Sequence, residues 1–314
     1  MPEQPDFRIA SYQSHAGYFA KSAQSAEKRR IFETWFDDTT ADAWRHARMY
    51  EAAELLASPD ERWLTIGDGR YGLDSIRIAK RGVRHVLPTD ISDTLLEEAR
   101  AAGKIADYRV ENAETLSFAD SSFDYVFIKE ALHHCPRPFL AIYEMLRVAR
   151  KGVIIVEPSE PSESLARRAI FWVRWLLGRQ RHFQETRYEP TGNYAYAISE
   201  LDLEKVCLGM DLPQLAVKRI SDIHVKGLEF EKPNLNSSKY LKVRGIILAN
   251  DLLSAVGLSA RNRIMACIFK EPLDEAARQR FSEKGWRVTD LPRNPYLGAG
   301  ARGTLSPTDA ILHG

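Results

Sequence analysis

A glycine-rich turn between an apolar strand and a helix most constrains how this chain can fold. Residues 62–66 have the composition of a buried strand and run directly into Gly67, Gly69 and Gly72. This G-x-G-x-x-G spacing permits a tight turn and lets a ligand approach the backbone at a helix N-terminus. A second strand ends at Asp90, whose carboxylate can accept hydrogen bonds from ribose hydroxyls. The pattern predicts a β-α-β unit that binds an adenosine-containing cofactor.

Strands and helices keep alternating beyond this unit. The next predicted strands are 106–110, 123–128 and 153–156. Such alternation predicts an α/β fold in which a doubly wound, mostly parallel sheet carries helices on both faces. Because ligands bind beyond the carboxyl ends of such strands, we expect the side chains at those ends to share one crevice with the glycine turn. These side chains are Asp90, Asn112, Lys129 and Glu157.

The composition argues against several kinds of partner. Lys plus Arg number 44 and Asp plus Glu 43, so the net charge of +1 does not favour nucleic acid. The three cysteines are widely spaced and in no metal-ligand pattern, which predicts a reduced, cytoplasmic chain without a metal site. No apolar stretch approaches the ~18–20 residues of a transmembrane helix, and the first residues do not read as a signal peptide. The oligomeric state stays open.

Two cofactors suit the glycine spacing, and the segment after the third strand decides between them. The pyrophosphate of NAD would use the helix N-terminus, and the spacing alone does not exclude it. Asn112 can present a side-chain oxygen to an adenine amino group, and Ala113 a backbone N–H to a ring nitrogen. The fourth strand then begins almost at once, at Phe123.

This succession resembles the class I S-adenosylmethionine-dependent methyltransferases, particularly the branch with quinone-biosynthesis and small-molecule enzymes. The matching segments are 64–69, 90–92, 112–118, 123–126, 131–134 and 144–152. The resemblance implies a Rossmann-like methyltransferase sheet with an antiparallel last strand, S-adenosylmethionine as cofactor, and methyl transfer to a small-molecule or lipid-like acceptor. The cofactor-binding residues that it implies are Gly67, Asp68, Gly69, Gly72, Asp90, Ile91, Asn112, Ala113 and Lys129.

The chain departs from the family pattern at three positions. Thr65 stands where the family commonly has an acidic residue, Gly72 comes one position late, and Asn112 replaces an aspartate while keeping an acceptor oxygen. We interpret Asp68 as a substitute acidic group near the methionine ammonium. Two alternatives remain: an NAD-dependent oxidoreductase on the same sheet, and a non-catalytic S-adenosylmethionine-binding protein, which the missing acid at Thr65 favours.

The candidates for a catalytic base follow the fourth strand. Methyl transfer from a sulfonium is an in-line displacement, so the enzyme must align the nucleophile, exclude water and, where needed, remove a proton. His134, His133 and Glu130 are suitably positioned for the last task, with Glu157 behind them. The alternative is that His134 caps the strand or packs under the next helix.

Helical additions flank the predicted methyltransferase domain, 58–270. We expect residues 1–57 to form a helical cap over the cofactor mouth. Within it, residues 44–46 and Arg48 would bring cations near a ligand carboxylate; the favoured alternative is a solvated face of a packing helix. Residues 271–314 are predicted to be a C-terminal extension with a flexible tail.

Two further segments are predicted to contact the acceptor or the surface. The segment 164–181 is an aromatic helix with one basic stripe, which predicts a lid, a packing helix or peripheral membrane contact. The loop 188–196 is a candidate wall of the acceptor pocket. Ser199 is predicted to cap a helix that runs through Leu208, and the last two predicted strands are 215–220 and 263–269. An insertion, 222–260, separates these two strands. Within it we expect a mobile loop over 227–240 and a helix over 245–256 that buries Ile246, Ile247, Leu252 and Leu253.

Overall fold

The computed structural model describes residues 7–159, 169–170, 172–173, 176–178, 188–189 and 193–297. These residues form an eight-stranded sheet with helices on both faces. The strands are β1 Arg62–Ile66, β2 His85–Asp90, β3 Arg109–Val110, β4 Phe123–Lys129, β5 Ala149–Pro158, β6 Gln214–Ile220, β7 Arg263–Phe269 and β8 Arg287–Asp290. The helices are α1 Phe7–Ala16, α2 Tyr18–Ala23, α3 Ala26–Thr34, α4 Ala41–Ala47, α5 Glu51–Leu56, α6 Leu73–Ala79, α7 Thr94–Ala101, α8 Pro138–Val148, α9 Glu200–Gly209, α10 Ser238–Ala255 and α11 Glu275–Glu283.

The strand order across the sheet is β3-β2-β1-β4-β5-β7-β6-β8. Strands β1 to β5 pair in parallel, and β7 runs antiparallel between β5 and β6. The predicted α/β sheet, mostly parallel with an antiparallel last strand, is thereby confirmed. One strand was not predicted: β8 pairs antiparallel with β6 and extends the sheet into residues assigned to the C-terminal extension.

Alternating side chains on the central strands build two apolar layers. Every residue of β4 is buried, as expected for a strand covered on both faces. Val126 and Ile128 belong to the layer beneath α8 and α9. Tyr125 and Phe127 belong to the opposite layer, which α5 and α11 cover. The sheet is therefore rigid at its centre, and its carboxyl edge holds the strand ends in fixed positions.

The N-terminal helices pack on the edge of the sheet that bears the glycine turn. Phe32 of α3 shares an apolar cluster with Tyr71, which lies inside the turn, and with Leu95 of α7. Helix α4 instead contacts the insertion, where the Ala41 backbone N–H donates to the Glu231 carbonyl at 2.7 Å. The N-terminal segment thus joins the glycine turn to the insertion.

The insertion differs from its prediction. Its helix α10 begins at Ser238, within the segment expected to be a mobile loop, and Ser237 caps it. Of the apolar residues expected to be buried, Ile247 is buried, whereas Ile246, Leu252 and Leu253 are 38%, 62% and 46% exposed. The reason is that the helix contacts its neighbours through a narrow stripe. That stripe is Tyr240, Val243 and Ile247.

Several predicted segments lie outside the described residues, wholly or in large part. These are most of the lid helix 164–181, including Arg167, Arg174, Trp175 and Arg181, part of the loop 188–196, and the tail from residue 298. Among the helices that are described, none has the length and apolar character needed to cross a bilayer.

A buried carboxylate connects α4 to the insertion. Asp222 is completely buried as a side chain and lies 2.5 Å from Arg45 Nη1, 3.4 Å from Arg48 Nη2 and 3.6 Å from Arg263 Nε. Arg45 itself is 6% exposed as a side chain. Buried charges of this kind are tolerated only when they remain paired.

We expect Asp222→Asn to lower the free energy of unfolding by about 3–5 kcal/mol, because it leaves buried guanidinium groups without their counter-charge. Urea unfolding followed by circular dichroism measures the change. Asp60→Asn is the matched control, since the Asp60 side chain is 92% exposed and exposed pairs contribute little. Equal stability of the Asp222 variant and the control would contradict this account.

Candidate active site

A cavity of about 640 Å³ lies at the carboxyl edge of the sheet. Its walls come from the ends of β1, β2 and β4, from the turn after β3, and from the N-terminal helices, and its size suits a small ligand. The predicted site residues that line it are Gly67, Asp68, Asp90, Ile91, Asn112, Ala113, Lys129, Glu130 and His134. Three other predicted site residues, Gly69, Gly72 and His133, are not among the lining residues.

The glycines of the turn are required by its backbone conformation, and of the three only Gly67 lines the cavity. Gly67 has φ +69°, and a Cβ there would come within 2.3 Å of the Ala131 Cβ. Gly72 has φ +68° in the left-handed region and directly precedes α6. The Gly69 N–H donates to Asp90 Oδ2 at 2.8 Å. The turn therefore needs glycine for its close contact with the loop after β4 and for its left-handed backbone.

Asp68 joins the end of β1 to the start of α6. Its carboxylate accepts hydrogen bonds from Thr65 Oγ1 at 2.8 Å and from the backbone N–H groups of Asp74 and Ser75, both at 2.9 Å. Burial, and next the negative charge of Asp74, raise the pKa of Asp68 well above its usual value. Thr65, the apparent departure from the family pattern, is thus the hydroxyl partner of a carboxylate three residues later.

Asp90 keeps capacity to bind two hydroxyl groups. Its Oδ2 accepts from Gly69 N–H and its Oδ1 from Ser92 N–H, each at 2.8 Å. A carboxylate oxygen has two acceptor positions, so one remains on each oxygen. Burial raises the pKa of Asp90 to about 6, although backbone hydrogen bonds from Ser92, Gly69 and Ile91 act in the opposite direction.

The turn after β3 is held under α1. Asn112 Oδ1 accepts from the Glu114 N–H at 3.0 Å, which fixes the turn and leaves one acceptor position on that oxygen. Buried Glu114 in turn accepts from Tyr12 Oη of α1 and from Arg137 Nε, both at 2.6 Å. The first helix thereby closes one side of the cavity.

Charged side chains form ion pairs at the end of β4. Lys129 Nζ lies 3.3 Å from Asp74 Oδ1, and Arg263 Nη2 lies 3.0 Å from Glu130 Oε1. Burial disfavours the Glu130 carboxylate, but the positive charges of Lys129 and Arg263 outweigh burial and lower the pKa of Glu130 to about 2. Glu130 is therefore an anion with low proton affinity. Its φ of +52° marks a strained backbone at the cavity wall.

The two adjacent histidines have different surroundings. His133 Nδ1 lies 2.5 Å from Glu157 Oε2, and Glu157 Oε1 accepts the backbone N–H groups of Ala131 and Leu132. Burial opposes protonation of His133, but Glu157 more than compensates and raises the His133 pKa. His133 therefore helps to hold the loop after β4 in place through Glu157, whereas His134 lines the cavity.

His134 pairs with a carboxylate from the loop 188–196. Its Nδ1 lies 2.7 Å from Glu189 Oε2, and Asn193 Nδ2 donates to the same oxygen at 3.0 Å. Burial disfavours the Glu189 anion, yet the hydrogen bond from His134 and its charge lower the Glu189 pKa to about 2. His15 of α1 completes the group through Asn193 Oδ1 at 3.1 Å.

His15, His134 and Glu189 also present potential metal-ligand atoms within 4.8 Å of one another. His15 Nε2 has Asn193 as a hydrogen-bond partner, and His134 Nδ1 and Glu189 Oε2 are partners of each other. The arrangement matches an imidazole oriented by a carboxylate, which suits proton transfer.

Two of the lining residues, His15 and Glu189, were not identified individually from the sequence. Glu189 lies in the loop predicted to line the acceptor pocket, whereas His15 occurs in a polar segment without any pattern. His46 was noted among residues 44–46, but the favoured interpretation of a solvated face is wrong. Arg45 and His46 are both 5% exposed, and His46 lines the cavity.

Comparison with known proteins agrees with this geometry. Residues 64–156 match the family model Methyltransf_11, described as a methyltransferase domain. A demethylmenaquinone methyltransferase of Clavibacter sepedonicus is 36% identical over 133 residues, which are 40% of this chain and 51% of the relative. A ubiquinone/menaquinone biosynthesis C-methyltransferase of Rhizobium meliloti is 29% identical over 168 residues, 50% of this chain and 64% of the relative. The chain spans about half the length of such relatives.

A solved structure supports the fold. Phosphoethanolamine N-methyltransferase 2 of Haemonchus contortus, in complex with S-adenosyl-L-methionine, superimposes with a TM-score of 0.52 at 16% identity, covering 85% of this chain and 60% of that one. The sheet order, the strand-end cavity and the match over residues 64–156 agree with one another. Residues 64–156 thus match a methyltransferase domain, and the strand order and the strand-end cavity are consistent with that match.

Proposed function

We propose that the protein transfers a methyl group from S-adenosylmethionine to a small-molecule or lipid-like acceptor. The observation that carries the proposal is that one cavity is lined by Asn112, Asp90 and Gly67, which follow three neighbouring strands. These residues supply acceptors for an adenine amino group, for ribose hydroxyls and for the amino-acid end of the cofactor. The cofactor provides the electrophilic methyl group.

The residues of the chain suit this cofactor better than a dinucleotide. A pyrophosphate needs free backbone N–H groups at a helix N-terminus. At the start of α6, the N–H groups of Asp74 and Ser75 already donate to the Asp68 carboxylate. The Asp68 carboxyl group therefore occupies the N–H groups that a pyrophosphate would need, which disfavours the NAD-dependent alternative.

The acceptor side of the cavity contains the candidate base. The Glu189 carboxylate lies 2.7 Å from His134 Nδ1 and orients the ring. An imidazole that donates from Nδ1 to Glu189 and is neutral has Nε2 as the atom that removes a proton from an acceptor hydroxyl, amine or carbon acid. His133 positions the loop through Glu157, and Glu130 has too low a pKa for the same task. This pair also favours an enzyme over a non-catalytic binding protein.

The relatives and the exposed apolar side chains of the segment 164–181 bear on the nature of the acceptor. The relatives above are named for menaquinone and ubiquinone biosynthesis, which favours a small, partly apolar molecule over nucleic acid. In the described part of the segment 164–181, Leu176 and Leu177 are 72% and 65% exposed, which suits a lid or peripheral membrane contact. A cytoplasmic location remains part of the proposal, since the cysteines are free thiols.

We expect Asp90→Ala to weaken binding of S-adenosylhomocysteine by at least about tenfold, because two hydroxyl acceptors are lost. Isothermal titration calorimetry measures the affinity. Asp93→Ala is the control, since this neighbouring carboxylate is exposed and does not line the cavity. Equal affinities for the two variants would remove Asp90 from the ribose site.

The same site should respond to pH. Because the Asp90 pKa is raised to about 6, lowering the pH through that value adds a proton where an acceptor is needed. We expect the affinity of the wild-type protein for S-adenosylhomocysteine to fall in that range. Asp90→Asn cannot titrate, so its weaker affinity should stay constant there; a parallel decline in both proteins would assign the titration to another group.

We expect His134→Ala to lower kcat about 10²–10⁴-fold, the usual contribution of a positioned base, with little change in cofactor affinity. Labelled methyl transfer into a small-molecule extract, and then into the purified acceptor, measures the rate. His85→Ala is the control, because His85 is exposed at the start of β2. A chelator should leave the wild-type rate unchanged. Loss of activity with chelator would instead favour a metal at this group.

A further inference from the structure

His46 is a buried side chain with one unsatisfied ring nitrogen. It is 5% exposed, belongs to α4 and lines the cavity. Its Nδ1 has no hydrogen-bond partner among the residues that the structure describes. Glu130 Oε2 lies 3.9 Å from this nitrogen, which is too far for a hydrogen bond. Buried polar atoms are rarely left in this state.

The neighbouring arginine determines which ring nitrogen of His46 carries the proton. Arg45 Nη2 lies 2.8 Å from His46 Nε2. A guanidinium group can only donate, so Nε2 must be the acceptor. Burial, and then the positive charges of Lys129 and Arg45, lower the pKa of His46 well below its usual value. The ring is therefore neutral with its proton on Nδ1, and the unsatisfied atom is a donor.

The strand order locates this donor relative to the proposed cofactor. The order β3-β2-β1-β4 places the adenine residues, the ribose carboxylate, the glycine turn and the end of β4 in succession along one edge. A cofactor with its adenine at β3 and its ribose at β2 has its amino-acid end at β1 and β4. His46 lies at that end, beside Glu130.

The charges at this end match an amino acid in its zwitterionic form. Glu130 remains an anion because its pKa is about 2, and it offers a partner for an ammonium group. Arg70 also lines the cavity and stacks on Trp35 at 5.2 Å. Within the described residues it has no carboxylate at ion-pair distance. A carboxylate bound here would find Arg70 as a counter-charge and His46 as a fixed donor.

We propose that His46 donates a hydrogen bond from Nδ1 to the carboxylate at the amino-acid end of the cofactor. The N-terminal segment would thereby complete a site whose other proposed contacts lie within residues 64–156. The inference rests on the proposed function, because it takes the position of the cofactor from it. It adds a binding residue outside the matched domain, held by the buried contact of Arg45 with Asp222.

Two ligands distinguish carboxylate binding by His46 from a purely structural role. S-Adenosylhomocysteine carries the carboxylate, whereas 5′-methylthioadenosine keeps the adenosine and lacks the amino-acid end. We expect His46→Ala to weaken S-adenosylhomocysteine binding about tenfold or more, as for loss of a hydrogen bond to a charged group. Binding of 5′-methylthioadenosine should not change. His46→Asn keeps a donor at the δ position and should recover part of the loss.

Calorimetry measures the affinity for S-adenosylhomocysteine relative to that for 5′-methylthioadenosine. The comparison uses the wild-type protein, both His46 variants and His85→Ala as the control. An equal loss for both ligands would assign His46 a structural role, and no loss for either would assign its donor to another molecule; both results overturn the proposal. If His46→Ala does not fold, the ratio for His46→Asn decides. Failure of the wild-type protein to bind either ligand would instead overturn the proposed function.

Discussion

The buried Asp68 carboxylate is the interaction on which the rest of the site depends. It accepts hydrogen bonds from Thr65 in β1 and from two backbone N–H groups at the start of α6. Its oxygens satisfy two of the backbone N–H groups that a helix leaves unpaired at its first turn, and its burial costs less because three donors satisfy it. The glycine turn between strand and helix is therefore held at both ends, and Gly69 is presented to Asp90.

The N-terminal helices add walls to the crevice at the carboxyl edge of the sheet. Helix α1 is attached to the turn after β3 through Tyr12 and Glu114. Helix α3 packs on Tyr71 inside the glycine turn. Helix α4 is held by the buried contact of Arg45 with Asp222 in the insertion. These walls reduce the exposure of the groups inside to solvent, which strengthens their electrostatic interactions.

Much of the fold was predictable because it rests on local patterns. Strand β7 coincides with the predicted residues 263–269, and helix α9 begins after Ser199 with the expected side-chain cap. Predictions failed where a short or narrow contact decides the outcome. β8 has four residues and, among the described strands, pairs with β6 alone. Helix α10 buries a single stripe, so its other apolar residues remain exposed.

In the candidate site too, some residues could be predicted from the sequence, whereas their specific contacts could not. The residues that follow strand ends, such as Asp90, Asn112 and Lys129, were predicted to meet because parallel strands share one carboxyl edge. The pairing of His134 with Glu189, and the contact of Asp68 with Thr65, involve side chains whose orientation no pattern specifies. The distinction between His133 and His134 also depends on which imidazole reaches Glu157.

The amino-acid sequence by itself determined the succession of strands and helices, the glycine turn and the set of residues at the strand ends. These follow from periodicity and backbone preference, which act over a few residues. Only the tertiary structure decided that His46 is buried and neutral, with an N–H group that lacks a partner among the described residues. It also decided that Glu130 stays ionised and that residues of α1 and α4 line the cavity. Burial and neighbouring charges set these properties, and the groups responsible are far apart along the chain.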